Sequence, residues 1–152
     1  MQSNKCVMCE RVALSLAGNN PRLIYEFEHS VFLVGDHQFH KGYCLLIHKA
    51  HVREPHELSP DIQMAHFMDL MCAARAIHAT FDPWKLNYSC FGNEVPHIHW
   101  HIFPRYADDP ARTKNPWAFS SDFDNHCIDE RTAQELAEKI GANLMLITTG
   151  NL

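Results

Sequence analysis

The segment His97-Ile98-His99-Trp100-His101-Ile102-Phe103-Pro104-Arg105 places three imidazoles at every second position, with large apolar residues between them. Side chains alternate across a strand, so His97, His99 and His101 share one face while Ile98, Trp100 and Ile102 face the core. Same-face neighbours lie roughly 6.6 Å apart along a strand. That spacing suits one histidine acting on a substrate while its neighbours do other work, and it also suits two histidines leaning together on one metal. A polar strand face in a chain with 12 histidines is the plainer alternative. Histidine alternating with large apolar groups is an unusual way to build a solvated face, which favours function.

Three further features could carry chemistry near this strand. Arg105 is permanently charged and fork-shaped, which suits phosphate, although an arginine after a strand is also ordinary surface. Asn93, after Gly92 in the turn entering the strand, can offer an amide to a phosphoryl oxygen or simply form the turn. Cys6-x-x-Cys9 can hold zinc or act as a redox pair. A thioredoxin-like pair opens a helix after a buried strand, and only five residues precede this one, so redox loses. Two thiols are half of a tetrahedral zinc site. His51 and His97 are candidates for the other half, against the alternative of two semi-buried thiols that bind nothing.

Several elements must position these residues. Residues 10–18 read as a short helix ending near Gly18. Residues 22–30, 31–36 and 42–49 read as strands. Ser59-Pro60 opens a long helix, with Pro60 suited to its first position and Asp82-Pro83 stopping it. Met64, Phe67, Met68 and Met71 follow at helical spacing, so this helix packs an apolar face on something, and core methionines explain them better than metal ligation. Residues 85–91 and 97–103 are a fourth and a fifth strand. Residues 115–125 read as a loop. Asp129 caps a last helix that Gly141 ends. Strands in neighbouring runs, interrupted by one long helix, predict an antiparallel α+β domain rather than a parallel doubly wound sheet.

The 152 residues have the length of one ordinary domain, and 46% hydrophobic content suffices for a core. Thirteen Lys and Arg against 18 Asp and Glu give a formal charge of -5, which argues against a binder of large nucleic acids. A small anionic substrate stays open, because one pocket can be positive on an acidic protein. No segment has the length of a membrane helix, and the N-terminus lacks a basic region followed by an apolar run. A cytoplasmic protein is expected, with six cysteines that serve as thiols or metal ligands rather than as a disulfide frame.

The triad with Pro104-Arg105, together with CVMC, YEFEHSVFLVGD, GYCLLIHKAHV and NYSCFGNEVPHIHWHIFPR, resembles the histidine triad (HIT) family over roughly residues 6 to 106. The resemblance implies an α+β fold: a half-barrel antiparallel sheet of about five strands with a long central helix and a C-terminal helix, in a single domain spanning 1–152 and paired as a homodimer. It implies hydrolysis or transfer of nucleotidyl groups at the α-phosphorus. His99 would be the nucleophile, held in one tautomer by a backbone carbonyl, and His101 would contact the phosphate and help the leaving group. Asn93 would be a phosphate donor and Asp36 would lie near the ribose hydroxyls. Diadenosine polyphosphates are the preferred substrates and nucleoside phosphoramidates the second.

A related zinc-containing branch, resembling the galactose-1-phosphate uridylyltransferases, implies a structural zinc held by Cys6, Cys9, His51 and His97. Two departures stand out. The loop before the triad is the short Gly92-Asn93-Glu94-Val95-Pro96, and His48 stands where the family usually has proline. Two other readings compete: a hydrolase with a catalytic zinc bound by the triad, and a nucleotide-binding regulatory module with little turnover.

Overall fold

The computed structural model describes residues 6–150. The elements run α1 (Val7–Leu16), β1 (Leu23–Glu26), β2 (Ser30–Val34), β3 (Cys44–His48), α2 (Pro60–Phe81), β4 (Lys85–Ser89), β5 (His99–Arg105) and α3 (Glu130–Thr148). Short 3-10 helices cover Pro55–Glu57 and Pro116–His126. The five strands form one open antiparallel sheet in the order β1-β2-β3-β5-β4, as the α+β reading expects. No helix among the described residues is long and apolar enough to cross a membrane.

The central strands β2 and β3 are buried along their whole length, because both sheet faces are covered. Phe32, Val34, Leu46 and Ile102 pack under Leu70 and Ile77 of α2 and Ile140 and Leu144 of α3. On the other face, Leu33, Leu45 and Phe103 pack against Met8 and Val12 of α1 and Phe123 of the second 3-10 segment. The triad face is therefore roofed. Residues 116–126, expected to be a loop, are consecutive 3-10 turns whose Trp117 and Phe123 settle on this face.

The strands are shorter than or offset from the sequence reading, and three boundary differences bear on the site and its supports. β5 begins at His99, so His97 precedes the strand. The Ile98 N–H donates to Val52 O at 2.8 Å, and the His48 carbonyl accepts from the His97 ring, so the ladder to β3 stops one step short. α3 runs through Gly141 to Thr148. A Cβ at Gly141 would meet Ile24 O at an ordinary 3.5 Å, so this position is an interior helix residue facing β1 rather than a helix end. α1 starts earlier than expected, at Val7, and ends before Gly18, which takes a φ of 71°.

The back of β5 is fixed by a buried relay. The Trp100 indole N–H donates to His66 Nε2 at 3.0 Å, so the His66 proton sits on Nδ1 and is directed to Ser30 Oγ at 2.9 Å. Ser30 in turn donates to Asp69 at 2.7 Å. This chain ties β5 and β2 to α2 directly behind the triad.

Candidate active site and metal centre

Cys6 caps α1 and Cys9 sits in its first turn, so three-residue spacing points both thiols to one side. His51 follows β3 and His97 precedes β5, and the fold brings all four together. Their ligand atoms lie within 4.8 Å of one another. Cys6 Sγ and Cys9 Sγ are each 3.5 Å from His97 Nδ1, and Cys9 Sγ is 3.2 Å from His51 Nδ1. Zinc bonds of about 2.3 Å to sulfur and 2.0 Å to nitrogen, at tetrahedral angles, give sulfur–nitrogen edges of roughly 3.5 Å. The donor set and its spacing fit zinc. The His97 Nε2–H donates to His48 O at 2.7 Å, which fixes the tautomer and leaves the Nδ1 lone pair facing the thiols. Burial, and after it the neighbouring Cys6, raises the Cys9 pKa.

His48 bears on this arrangement through its backbone. Its N–H donates to Ile98 O at 3.0 Å, a bond that proline could not make. Its ring donates from Nδ1 to Ala50 O at 3.1 Å and lies edge-on to His66.

Two residues further on, the His99 Nδ1–H donates to the His97 carbonyl at 2.6 Å. A carbonyl only accepts, so His99 Nε2 carries the lone pair. Burial lowers the His99 pKa; the carbonyl bond opposes this and the Arg11 charge adds to it. His101 is pushed down to about 3, chiefly by burial and then by the charge of His99. Both rings are neutral near pH 7, with centroids 5.0 Å apart. The Tyr43 hydroxyl lies 2.7 Å from His101 Nδ1. Tyr43 reaches it because Gly35 lacks a side chain, since a methyl group there would overlap the Tyr43 ring.

A cavity of about 420 Å³ opens over both histidines. Asn93, Glu94 and Val95 form one wall, and Met8 of α1, Phe91 and Trp117 form others. The Trp117 ring centroid is 4.8 Å from that of His101, so the stretch after β5 contributes to this pocket. A neutral imidazole with a free Nε2, beside a second neutral imidazole and an amide, can attack an electrophile and stabilise the charge that develops.

The HIT domain family matches residues 18–108, more than half of the chain. The chain belongs to the HIT family. It is 32% identical over 111 residues to the Protein hit of Bacillus subtilis, covering 69% of this chain and 74% of that one. A hypothetical histidine triad nucleotide-binding protein of Sulfolobus tokodaii has the same fold, with a TM-score of 0.72 at 17% identity and 94% of both chains covered. A Zn-bound histidine triad family protein of Mycobacterium smegmatis superposes with a TM-score of 0.67 at 22% identity, covering 96% of this chain and 97% of that one.

Within this HIT protein the remaining expected residues are placed unequally. Asn93 lines the cavity. The Asp36 carboxylate, at the end of β2, is gripped by both terminal nitrogens of Arg11 at 3.0 and 2.7 Å, with Arg22 Nε at 3.7 Å. Arg105 is not brought to the histidines. It is 1% exposed and bonds Lys114 O, Ala111 O and Asn87 Oδ1, holding the loop after β5 onto the sheet. Four residues beyond His101, it is roughly 13 Å along the strand, so its phosphate role gives way to a structural one. Tyr43, Arg11 and Trp117 went unnoticed in the sequence. The β3–β5 register, which pairs Leu45 with His101 and so places Tyr43 beside it, is not written in either strand alone.

Proposed function

We propose that this HIT protein is a nucleotidyl hydrolase or transferase acting through a covalent nucleotidyl-His99 intermediate. The observation that carries this reading is the 2.6 Å bond from His99 Nδ1 to His97 O, which leaves Nε2 as an uncharged nucleophile at the cavity floor. Nε2 attacks the α-phosphorus, and the bond from phosphorus to the leaving oxygen or nitrogen breaks. The Nδ1–H stays on the ring, and the His97 carbonyl stabilises the positive charge that forms. With the Tyr43 hydroxyl donating to His101 Nδ1, the His101 N–H sits on Nε2 and hydrogen-bonds the leaving atom, which departs as a phosphate anion or, if an amine, takes its proton from water. Water then adds to phosphorus, loses its proton to solvent and breaks the P–N bond, which regenerates neutral His99 and divides one hard displacement into two. Asn93 and His101 supply hydrogen bonds to the phosphoryl oxygens. Asp36 accepts from the ribose hydroxyls. Diadenosine polyphosphates are the preferred substrates, then nucleoside phosphoramidates.

Cys6, Cys9, His51 and His97 would hold a structural zinc, a reading supported by the donor spacing and by the Zn-bound mycobacterial relative. When bound, the ion cross-links α1 to the approach of β5. Four protein ligands leave no open position, which weighs against a catalytic zinc. A homodimer is supported by Met64, Phe67 and Met68, an exposed apolar row on α2.

The test is rapid acid quench with substrate labelled on the α-phosphoryl group, followed by peptide mapping. Label on His99 is the expected result. Label on His101 moves the nucleophile by one strand repeat. Turnover without label favours direct attack by water, and nucleotide binding without turnover favours the regulatory module.

A further inference from the structure

A nucleotide brings negative charge to a cavity whose lining, among the described residues, includes Glu94 and no lysine or arginine. Among those residues a cation must come from the cavity edge. Arg22 is committed, with its terminal nitrogens on Gly35 O and Ile128 O at 2.9 Å each. Arg105 is buried among carbonyls. Arg11 differs from both: among the described residues its guanidinium is held by Asp36 alone in a two-point fork, and this pair is partly open to solvent, with side-chain exposures of 24% and 47%.

Arg11 lies on α1 one residue short of a full turn after Met8, which lines the cavity, so the two share a helix face. On the other side, Asp36 adjoins His37, whose ring stacks on Tyr43 at 4.5 Å, and Tyr43 bonds His101. Burial is the main reason that the His101 pKa is lowered, and the Arg11 charge adds to it. Phosphate oxygens match the guanidinium fork as well as a carboxylate does, and a partly exposed ion pair is readily given up.

We propose that Arg11 is the phosphate-binding cation of this site and that nucleotide entry exchanges its partner, from the Asp36 carboxylate to the phosphate. The exchange frees Asp36 for the ribose hydroxyls, so one ligand replaces both halves of the resting pair. It rests on the nucleotide reading above. It also gives the metal centre a second consequence, because Cys6 and Cys9 clamp the first turn of the helix that presents Arg11.

Calorimetric titration of the zinc-loaded full chain with AMP and with 2′,3′-dideoxy-AMP tests the exchange, with zinc content and melting temperature checked for every variant. Arg11→Gln should weaken both nucleotides about tenfold or more. Asp36→Asn should tighten 2′,3′-dideoxy-AMP several-fold, because the fork is released and no ribose contact is lost. That gain should vanish in the double variant. A merely structural pair would not produce tighter binding. Unchanged affinity of Arg11→Gln for both nucleotides, or no gain for dideoxy-AMP in Asp36→Asn, overturns the exchange. Where Arg11→Gln fails to fold, the Asp36→Asn arm decides. Wild-type protein that binds neither nucleotide overturns the nucleotide reading together with the exchange.

Discussion

Tyr43 Oη and His101 Nδ1 meet 2.7 Å apart across the β3–β5 pair, and the two rings lie nearly parallel with Phe103 in the same stack. The hydroxyl is the only part of Tyr43 that touches the imidazole by hydrogen bonding, while the ring is held by packing. Tyr43→Phe therefore removes the hydrogen-bond partner of His101 Nδ1 and leaves the stack in place. A buried ring nitrogen left unpaired costs about 1–3 kcal/mol. Under the proposed mechanism kcat should fall about tenfold, the scale of a weakened hydrogen bond to the leaving atom, with KM little changed and only a modest loss of melting temperature. A variant with wild-type kcat would remove Tyr43 from the support of His101.

His99→Ala should abolish turnover by several decades while zinc content stays near wild type. His99 is absent from the Cys6, Cys9, His51 and His97 cluster, so removing it leaves every ligand atom in place. Metal analysis and steady-state rates on one preparation check both halves. Loss of zinc with His99→Ala would revive a catalytic metal, and retained turnover would end the covalent mechanism.

Cys9→Ser should lower zinc content and melting temperature together, because the binding energy of a structural site contributes to folding. Chelator should have the same effect on wild-type protein and little effect on the variant. Protein purified without chelator and free of zinc would reduce the cysteine pair to two ordinary thiols.

Much of this site was legible because its signals are local. Period-two histidines, a Cys-x-x-Cys spacing and a Ser59-Pro60 helix start need only neighbouring residues, and the structure has a strand from His99, a group of Cys6, Cys9, His51 and His97 with the spacing of metal ligands, and a helix from Pro60. What was misread depends on distant partners. Arg105 looks like a phosphate ligand until the loop of residues 109–114 folds back and its carbonyls capture it. Gly141 looks like a helix end until Ile24 is seen against it. Trp117 gains its place only when residues 116–126 cover the triad face. Arg11 draws no notice until Asp36, 25 positions later, meets it.

Acid should unfold this protein earlier than its carboxylates alone would cause. Burial is the main reason that the pKa values of His37 and His66 are lowered to about 4 and that of His101 to about 3. In the unfolded chain each titrates near about 6.5. For such depressed bases the stability contribution is complete above the unfolded value and is lost as pH falls toward the folded one, because in that window the unfolded state binds protons that the folded state refuses. Each group adds a slope of up to about 1.4 kcal/mol per pH unit between about 6.5 and 4. His37 is the cleanest to isolate, since its ring is stacked between Tyr43 and Phe123 at 4.5 and 4.0 Å and its buried Nδ1 has no hydrogen-bond partner among the described residues. His37→Phe keeps a flat ring in that stack and removes the titration. Denaturant midpoints measured from pH 7 to 4.5 should fall less steeply in the variant than in the wild type, by about one proton's slope. Because zinc ligands titrate in both proteins, the difference between the two curves reports His37 itself. Parallel curves would mean that His37 takes up its proton inside the folded protein.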